Sequence, residues 1–206
     1  LAPTLLAGMP AIVKPATASS YVAEAAARIM LDSGILPDGA LQIVSGGLGD
    51  LIDRLDGQDV VSFTGSAETA LKLRARPKIL SESVRFVAEQ DSLNATILGP
   101  DARTGAPEFD LFVKEVHREM TAKAGQKCTA IRRILVPEPQ VEAVIEAVSQ
   151  RLAATRIGAP DQEDTRMGAL ISLEQRRDVL EKVGLIASEA ERVCGDPDAF
   201  AVSGAD

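Results

Sequence analysis

The sequence predicts an α/β fold built on parallel strands. Short apolar runs alternate with longer segments of helical period, the pattern of successive βαβ units. The stretch "SFTGSAET" (62–69) carries a strand straight into a helix, the junction such units need. Of 206 residues, 46% are hydrophobic but only 3% aromatic, with no tryptophan, so Leu, Val, Ile and Ala must build the core. That length is enough for one sizeable core or two small ones.

Taken in order, "AIVKP" (11–15) reads as the first strand. "SSYVAEAAARIMLDSG" follows as a helix, with Ser19 or Ser20 as N-cap and Gly34 as its stop. Its expected apolar positions are Val22, Ala25, Ala26, Ile29 and Met30. "LQIVSG" (41–46) is the second strand, "DLIDRLDG" a short helix and "VVSFTG" (60–65) the third strand, leading into a helix that starts near Ser66. "RFVAE" (85–89) and "ATILG" (95–99) are further strands. "APEFDLFVKEVHREMTAK" is a strong helix: Pro107 suits its first turn, Glu108 and Asp110 its positive end, and Phe109, Phe112, Val113, Val116 and Met120 form one stripe. The strand "RRILVP" comes next. A helix over 138–154 then places Val141, Val144, Ile145, Val148 and Leu152 on one face, and "SLEQ" (172–175) is a capping box opening a last helix. Strand–helix alternation loosens near Glu89, which sets the expected domains at 1–88 and 89–206.

The formal net charge of −8 and pI near 4.8 argue against a nucleic-acid surface. No apolar run reaches the ~18 residues of a membrane span, and no export signal is evident. Two cysteines, Cys128 and Cys194, and one histidine make a disulfide scaffold or a zinc site unlikely choices for this chain, and the expected compartment is a reducing cytoplasm. The chain opens "LAPTLLAGMP" and stops at "FAVSGAD". Both ends read as cut, so the expectation is an internal piece of a longer protein.

Several residues have a chemical reading beside a bland one. Thr64, Gly65 and Ser66 lie where a strand end meets a helix start, which offers free N–H groups and a hydroxyl to an anion such as a pyrophosphate; the bland reading makes Ser66 a plain N-cap. No G-x-G-x-x-G is present, and "SGGLGD" (45–50) is a loose glycine turn. Lys14, ending the first strand, can reach a ribose or phosphate at the carboxyl edge of a parallel sheet, or simply be solvated. Glu89 closes an apolar strand and is either a general base or a solvated strand terminus. Cys128 sits in a loop with Gly125, Lys127, Arg132 and Arg133 around it. Positive charge favours a thiolate, whereas most free cysteines are small buried hydrophobes. Cys194 is assigned to that buried class, and His117 to the border of its helix's apolar stripe.

Together "KPA" (14–16), "FTGS" (63–66), Glu89 and "GQKCT" (125–129) stand in the order and approximate spacing of the aldehyde dehydrogenase superfamily, which the chain resembles over essentially its whole length. "EQDSLN" (89–94) replaces the commoner glutamate-leucine-glycine-glycine, and "EFDLFVKEVHREMTAKAGQKCTAIRR" looks like one branch. That branch comprises the dehydrogenase domain of phenylacetate-degradation bifunctional proteins and the related semialdehyde dehydrogenases of benzoyl-CoA breakdown. The separation 128 − 89 = 39 suits this branch. The resemblance implies a partial Rossmann-type cofactor domain followed by a partial α/β catalytic domain. It implies that Cys128 attacks the aldehyde and passes through a thiohemiacetal and thioester, that Glu89 activates the hydrolytic water, and that the Cys128 N–H helps hold the oxyanion. Ser66 would hold the pyrophosphate, Thr64 and Gly65 would lie near the cofactor, and Lys14 would contact the adenosine ribose. NAD-preferring relatives commonly carry a glutamate after "KPA", where this chain has Thr17, so NADP is the expected cofactor, with NAD the other choice. The substrate would be a small aldehyde, CoA-linked in this branch, and the whole protein a homo-oligomer.

Departures bear on this reading. The family's upstream oxyanion asparagine, the start of its cofactor fold, its later ribose-gripping glutamate motif and its oligomerisation tail all lie outside the chain. Rival readings are a CoA-acylating dehydrogenase, against which Glu89 argues; a non-catalytic nucleotide-binding relative; and a cysteine hydrolase pairing Cys128 with His117, which lacks a third group to orient the imidazole.

Overall fold

Strands pair in parallel, two by two, with helix between the members of each pair. The computed structural model describes residues 1–204, which fall into two units divided between Asp91 and Ser92.

In the first unit, α1 (Ala2–Leu6) precedes β1 (Ala11–Val13), which pairs with β2 (Leu41–Ile43) across α2 (Ser20–Asp32). A 3₁₀ turn at Leu51–Arg54 leads to β3 (Val60–Gly65), which pairs with β4 (Arg85–Gln90) across α3 (Ala67–Arg74) and the short α4 (Pro77–Ser81). Ile52, Ile79 and Val84 form the buried centre beneath this second pair, with Val61 and Phe86 packed against them.

The expected face of α2 needs correction. Val22 and Ile29 are exposed, as are Ala25 and Ala26, and the buried residue is Ala27 with Ala23 and Met30 half-buried beside it. These three share a face at i, i+4 and i+7. Ser19 is the N-cap but makes no side-chain capping bond, and the helix ends at Gly34 with φ +69°, a conformation that glycine adopts without cost.

The second unit begins with β5 (Asn94–Ile97), which pairs with β6 (Ile131–Leu135) across α5 (Pro107–Thr121). α6 (Val141–Ala153) then packs on α5. The expected stripes of both helices build the core: Phe109, Val113 and Val116 meet Val144 and Val148 over Leu98 and Ala102, with Phe112, Met120 and Leu152 at the margin. β7 (Ile157–Gly158) pairs with β8 (Val202–Ser203) across α7 (Leu173–Ile186). Half of the capping box is present, since Ser172 Oγ accepts from the Gln175 N–H at 3.1 Å.

Phe109 is 3% exposed at the middle of the α5–α6 core. Phe109→Ala is expected to lower unfolding free energy by about 3–5 kcal/mol. Urea denaturation reads this directly, and a loss below about 1 kcal/mol would show that the core lies elsewhere.

Candidate active site

Parallel register brings the first group of candidates to one sheet edge. β3 and β4 both end there, pairing Thr64 with Glu89 and Gly65 with Gln90. Thr64, Gly65, Ser66 and Glu89 are all exposed. A Cβ at Gly65 would stand 2.6 Å from the tip of the Phe63 ring, so a side chain there would force that ring to move. Ser66 is the N-cap of α3, accepting from the Thr69 N–H at 3.2 Å and sharing a 2.9 Å hydrogen bond with the Thr69 hydroxyl. Asp91, at φ +34°, turns its carboxylate back to the same helix start and accepts from the Ala67 N–H at 3.2 Å. The N-terminal end of α3 is thus already met by one carboxylate, which an incoming phosphate has to displace or bind beside.

Lys14 and Thr17 lie in the segment after β1. The Lys14 ammonium donates to the Pro15 carbonyl at 2.9 Å, and Thr17 is exposed, opening a 3₁₀ turn over Thr17–Ser19. Thr17 is not the cap of α2, the role that its position after a turn makes natural.

In the second unit, Cys128 is exposed, so it is not the small buried hydrophobe of the bland reading. Its loop leaves α5 through three successive left-handed residues, Lys123 (φ 53°), Ala124 (φ 53°) and Gly125 (φ 73°). For the two non-glycine residues this costs roughly 1–2 kcal/mol each. Bonds on every side hold the loop there. The Gln126 side-chain amide donates to the Lys123 carbonyl at 2.9 Å and its oxygen accepts from the Ile171 N–H at 2.9 Å. The Arg132 guanidinium donates to the Gly125 carbonyl at 2.8 Å. The Lys127 ammonium bonds both carboxylate oxygens of Glu119, at 2.7 and 2.8 Å. The Cys128 carbonyl accepts from the Ser92 hydroxyl and, at 2.8 Å, from the Asn94 side-chain amide.

Several expectations change here. Lys127 brings an ion pair, not a free charge, to the thiol's neighbourhood, and Arg132 is engaged with backbone; the sequence counted both as bare positive neighbours. Cys194 is exposed, not buried, because it lies in an irregular stretch after α7, beside Gly195 at φ +81°. His117 is a border residue: its Nε2 pairs with the Thr155 hydroxyl at 2.7 Å, and burial followed by the charge of Arg151 holds the ring below its ordinary pKa. Glu89 belongs to the first unit and Cys128 to the second. Asp91, Ser92, Asn94 and Glu119 were not among the sequence candidates. Glu119 carried a signal, a charged residue beside the stripe Phe109–Val113–Val116–Met120 and eight positions before a lysine.

Comparison with known proteins places the chain in a family. The model of the aldehyde dehydrogenase family matches residues 1–203. The 3,4-dehydroadipyl-CoA semialdehyde dehydrogenase of Aromatoleum evansii is 50% identical over 198 residues, covering 96% of this chain and 38% of that protein. The N-succinylglutamate 5-semialdehyde dehydrogenase of Hahella chejuensis is 31% identical, covering 94% of this chain and 39% of that one. Among solved structures, a double mutant of betaine aldehyde dehydrogenase from Staphylococcus aureus in complex with NAD+ superposes with a TM-score of 0.79 at 26% identity, covering 92% of this chain and 37% of that one. The chain spans about two fifths of the length of these curated relatives (38% and 39%).

The Glu119–Lys127 pair makes a pH prediction. The Lys127 hydrogen bond, opposed by desolvation, holds the Glu119 carboxyl below its ordinary 4.5. A lowered folded pKa adds stability above the unfolded value, and this is lost as pH falls through the folded one. Wild type should melt above Glu119→Gln at pH 7, and the gap should close as pH falls below 4.5. A gap that stays constant down to about pH 3 would mean that the pair's ionisation contributes nothing.

Proposed function

The chain belongs to the aldehyde dehydrogenase family, and from that premise we propose that it serves the NAD(P)-dependent oxidation of a CoA-linked semialdehyde, of the kind released by aromatic ring cleavage, to the carboxylic acid. The observation that carries the proposal is an exposed cysteine on a strained loop tethered by bonds to Ser92, Asn94 and Glu119. Strain held in place by surrounding bonds is typical of sites that pre-organise a reacting group. The name of the 50% identical relative supports the CoA-linked substrate class. A cytoplasmic, homo-oligomeric whole protein is part of the same reading.

The exposed end of β3 fits a dinucleotide: Gly65 is bare beneath the approach of a backbone-hugging group, and Thr64 and the Ser66 hydroxyl flank it. Ser66 would hold the pyrophosphate, with Asp91 yielding the Ala67 N–H, and Lys14 would contact the adenosine ribose. When bound, the nicotinamide supplies the acceptor for the hydride that the substrate gives up. The Cys128 thiolate adds to the aldehyde carbon, forming the S–C bond of a thiohemiacetal whose oxyanion its own backbone N–H stabilises. After oxidation Cys128 carries a thioester. Glu89, as the carboxylate, takes a proton from water while the oxygen adds to the thioester carbon. The S–C bond breaks, returning the thiolate and releasing the acid. A CoA-acylating enzyme needs no such base, and free acid instead of a new acyl-CoA as product distinguishes the two. A non-catalytic relative would leave Cys128 unlabelled by a thiol-reactive aldehyde analogue.

In the whole protein, Cys128→Ala is expected to abolish aldehyde oxidation while cofactor binding persists. Glu89→Gln should retain a single-turnover burst of reduced cofactor while steady-state turnover falls by ~10²–10⁴. Substantial turnover in Cys128→Ala removes the nucleophile; a burst that falls together with the steady state gives Glu89 a different role.

Cofactor choice is carried by Thr17. A carboxylate there would repel a 2′-phosphate by ~1–4 kcal/mol, depending on local dielectric. Thr17 is exposed and is not the N-cap of α2, and Lys14 supplies positive charge in the same segment. NADP should give the higher kcat/KM, and Thr17→Glu should shift preference toward NAD. Preference for NAD in the unaltered protein, or no shift in the variant, would assign the choice to other residues.

A further inference from the structure

One stretch takes no chemical step in the reaction above: the "SLN" of "EQDSLN", which overlaps the place where the family commonly carries two glycines. In the fold it meets the cysteine loop. Ser92 Oγ donates to the Cys128 carbonyl, and Asn94 Nδ2 donates to the same oxygen at 2.8 Å and to the Ala130 carbonyl at 3.2 Å. We propose that Ser92 and Asn94 are positioning residues for the nucleophile, clamping the Cys128 carbonyl so that its peptide plane, and with it the direction of the thiol, is set before substrate arrives. The proposal rests on Cys128 being the nucleophile.

A carbonyl oxygen has two acceptor sites, and here both are filled by side chains from one short segment. Holding the plane between Cys128 and Thr129 fixes ψ of Cys128. Lys127 before it and Ala130 two residues after it are held independently. Lys127 is held through its side chain by Glu119, its own carbonyl accepts from the Ala130 N–H at 3.0 Å, and Ala130 is fully buried. What freedom remains to Sγ is largely rotation about χ1.

The reach of Asn94 comes from an irregularity in the ladder. Asn94 pairs with Ile131 but Ala95 pairs with Arg133, so β6 carries one extra residue at that point. A bulge of this kind bends the strand and re-aims side chains next to it. The amide of Asn94 faces two carbonyl oxygens, a setting that only its –NH₂ can satisfy. A glycine in place of Ser92 offers no donor. The serine therefore adds a contact that the commoner pattern lacks.

Near-attack geometry is where such a clamp acts, since a displacement of about 1 Å can cost ~10² in rate. The test uses the whole protein and its aldehyde reaction. Asn94→Ala should slow the burst of cofactor reduction by roughly 10- to 100-fold, and Ser92→Ala by roughly 2- to 10-fold, with KM and cofactor affinity unchanged. Ser92→Thr, which keeps the hydroxyl, should recover the burst that Ser92→Ala loses, at equal melting temperature. Should Asn94→Ala melt early, Ser92→Gly, the residue of the commoner pattern, carries the comparison. Bursts within twofold of wild type in Ser92→Ala and Asn94→Ala, in a protein that Cys128→Ala inactivates, would overturn the clamp while leaving the dehydrogenase reading intact. Ser92→Thr as slow as Ser92→Ala would overturn it as well. Turnover surviving in Cys128→Ala would remove the premise and the clamp together.

Discussion

Parallel pairing of β5 with β6 is the constraint on which the cysteine loop depends. In a parallel ladder both strands begin at the same edge, so the segments entering them must meet there. Ser92 to Asn94 enters β5, and Cys128 to Ala130 enters β6. What holds the strands in that relation is the stripe of α5, with Phe109, Val113 and Val116 buried against Leu98, Val144 and Val148. Each such side chain contributes about 1.5–3 kcal/mol on burial, whereas a hydrogen bond at the edge contributes about 0.5–1.5 kcal/mol net. Apolar packing therefore decides that the two segments meet, and the hydrogen bonds decide only how they are oriented once together.

The same proportion explains how the loop can hold an unfavourable backbone. Left-handed Lys123 and Ala124 together cost roughly 2–4 kcal/mol. The bonds of Gln126 to the Lys123 carbonyl and to the Ile171 N–H, and of Arg132 to the Gly125 carbonyl, offset about 1.5–4.5 kcal/mol. Gly125 completes the turn at φ 73°, where a Cβ would crowd the Met120 carbonyl at 3.3 Å. The chain thus leaves α5 abruptly, close to balance, and Cys128 ends exposed instead of continuing into the core.

Much of this was legible in the sequence, and for a physical reason. The period of Phe109, Val113, Val116 and Met120 is a local pattern with a single use, and it fixed α5 and its buried face. "VVSFTGS" likewise foretold β3, its end at Gly65 and the N-cap Ser66. Pattern fails in α2: Val22 and Ile29 were expected inside but are exposed while Ala27 is buried, because apolar residues lie on more than one face of that helix and period alone does not choose between them. The family motif drew Cys128 and Glu89 out of otherwise ordinary settings. Ser92 and Asn94 stayed hidden because their partners lie 36 and 34 residues away. No local period records such a contact. Charge near the thiol was misjudged for the same reason, since Lys127 counts as a free cation until Glu119 is placed beside it.

Replacement of two glycines by Asp91 and Ser92 has consequences in both units. Glycine's use at such a place is its freedom at positive φ, and Asp91 keeps that conformation at φ +34°, which aspartate tolerates better than most residues. In exchange it gains a carboxylate that meets the Ala67 N–H and completes the start of α3 alongside Ser66. Ser92, one residue on, gains a hydroxyl that meets the Cys128 carbonyl. Each side chain thus does something a glycine cannot, one toward the helix that opens at the expected phosphate position and one toward the proposed nucleophile. The carboxylate on α3 has a further effect, because it occupies the positive end of that helix with negative charge. An anion binding there gains less from the helix start than it would beside a glycine. On the proposed reading, the grip on a dinucleotide would therefore fall more heavily on Ser66, on Gly65 and on the segment carrying Lys14 and Thr17.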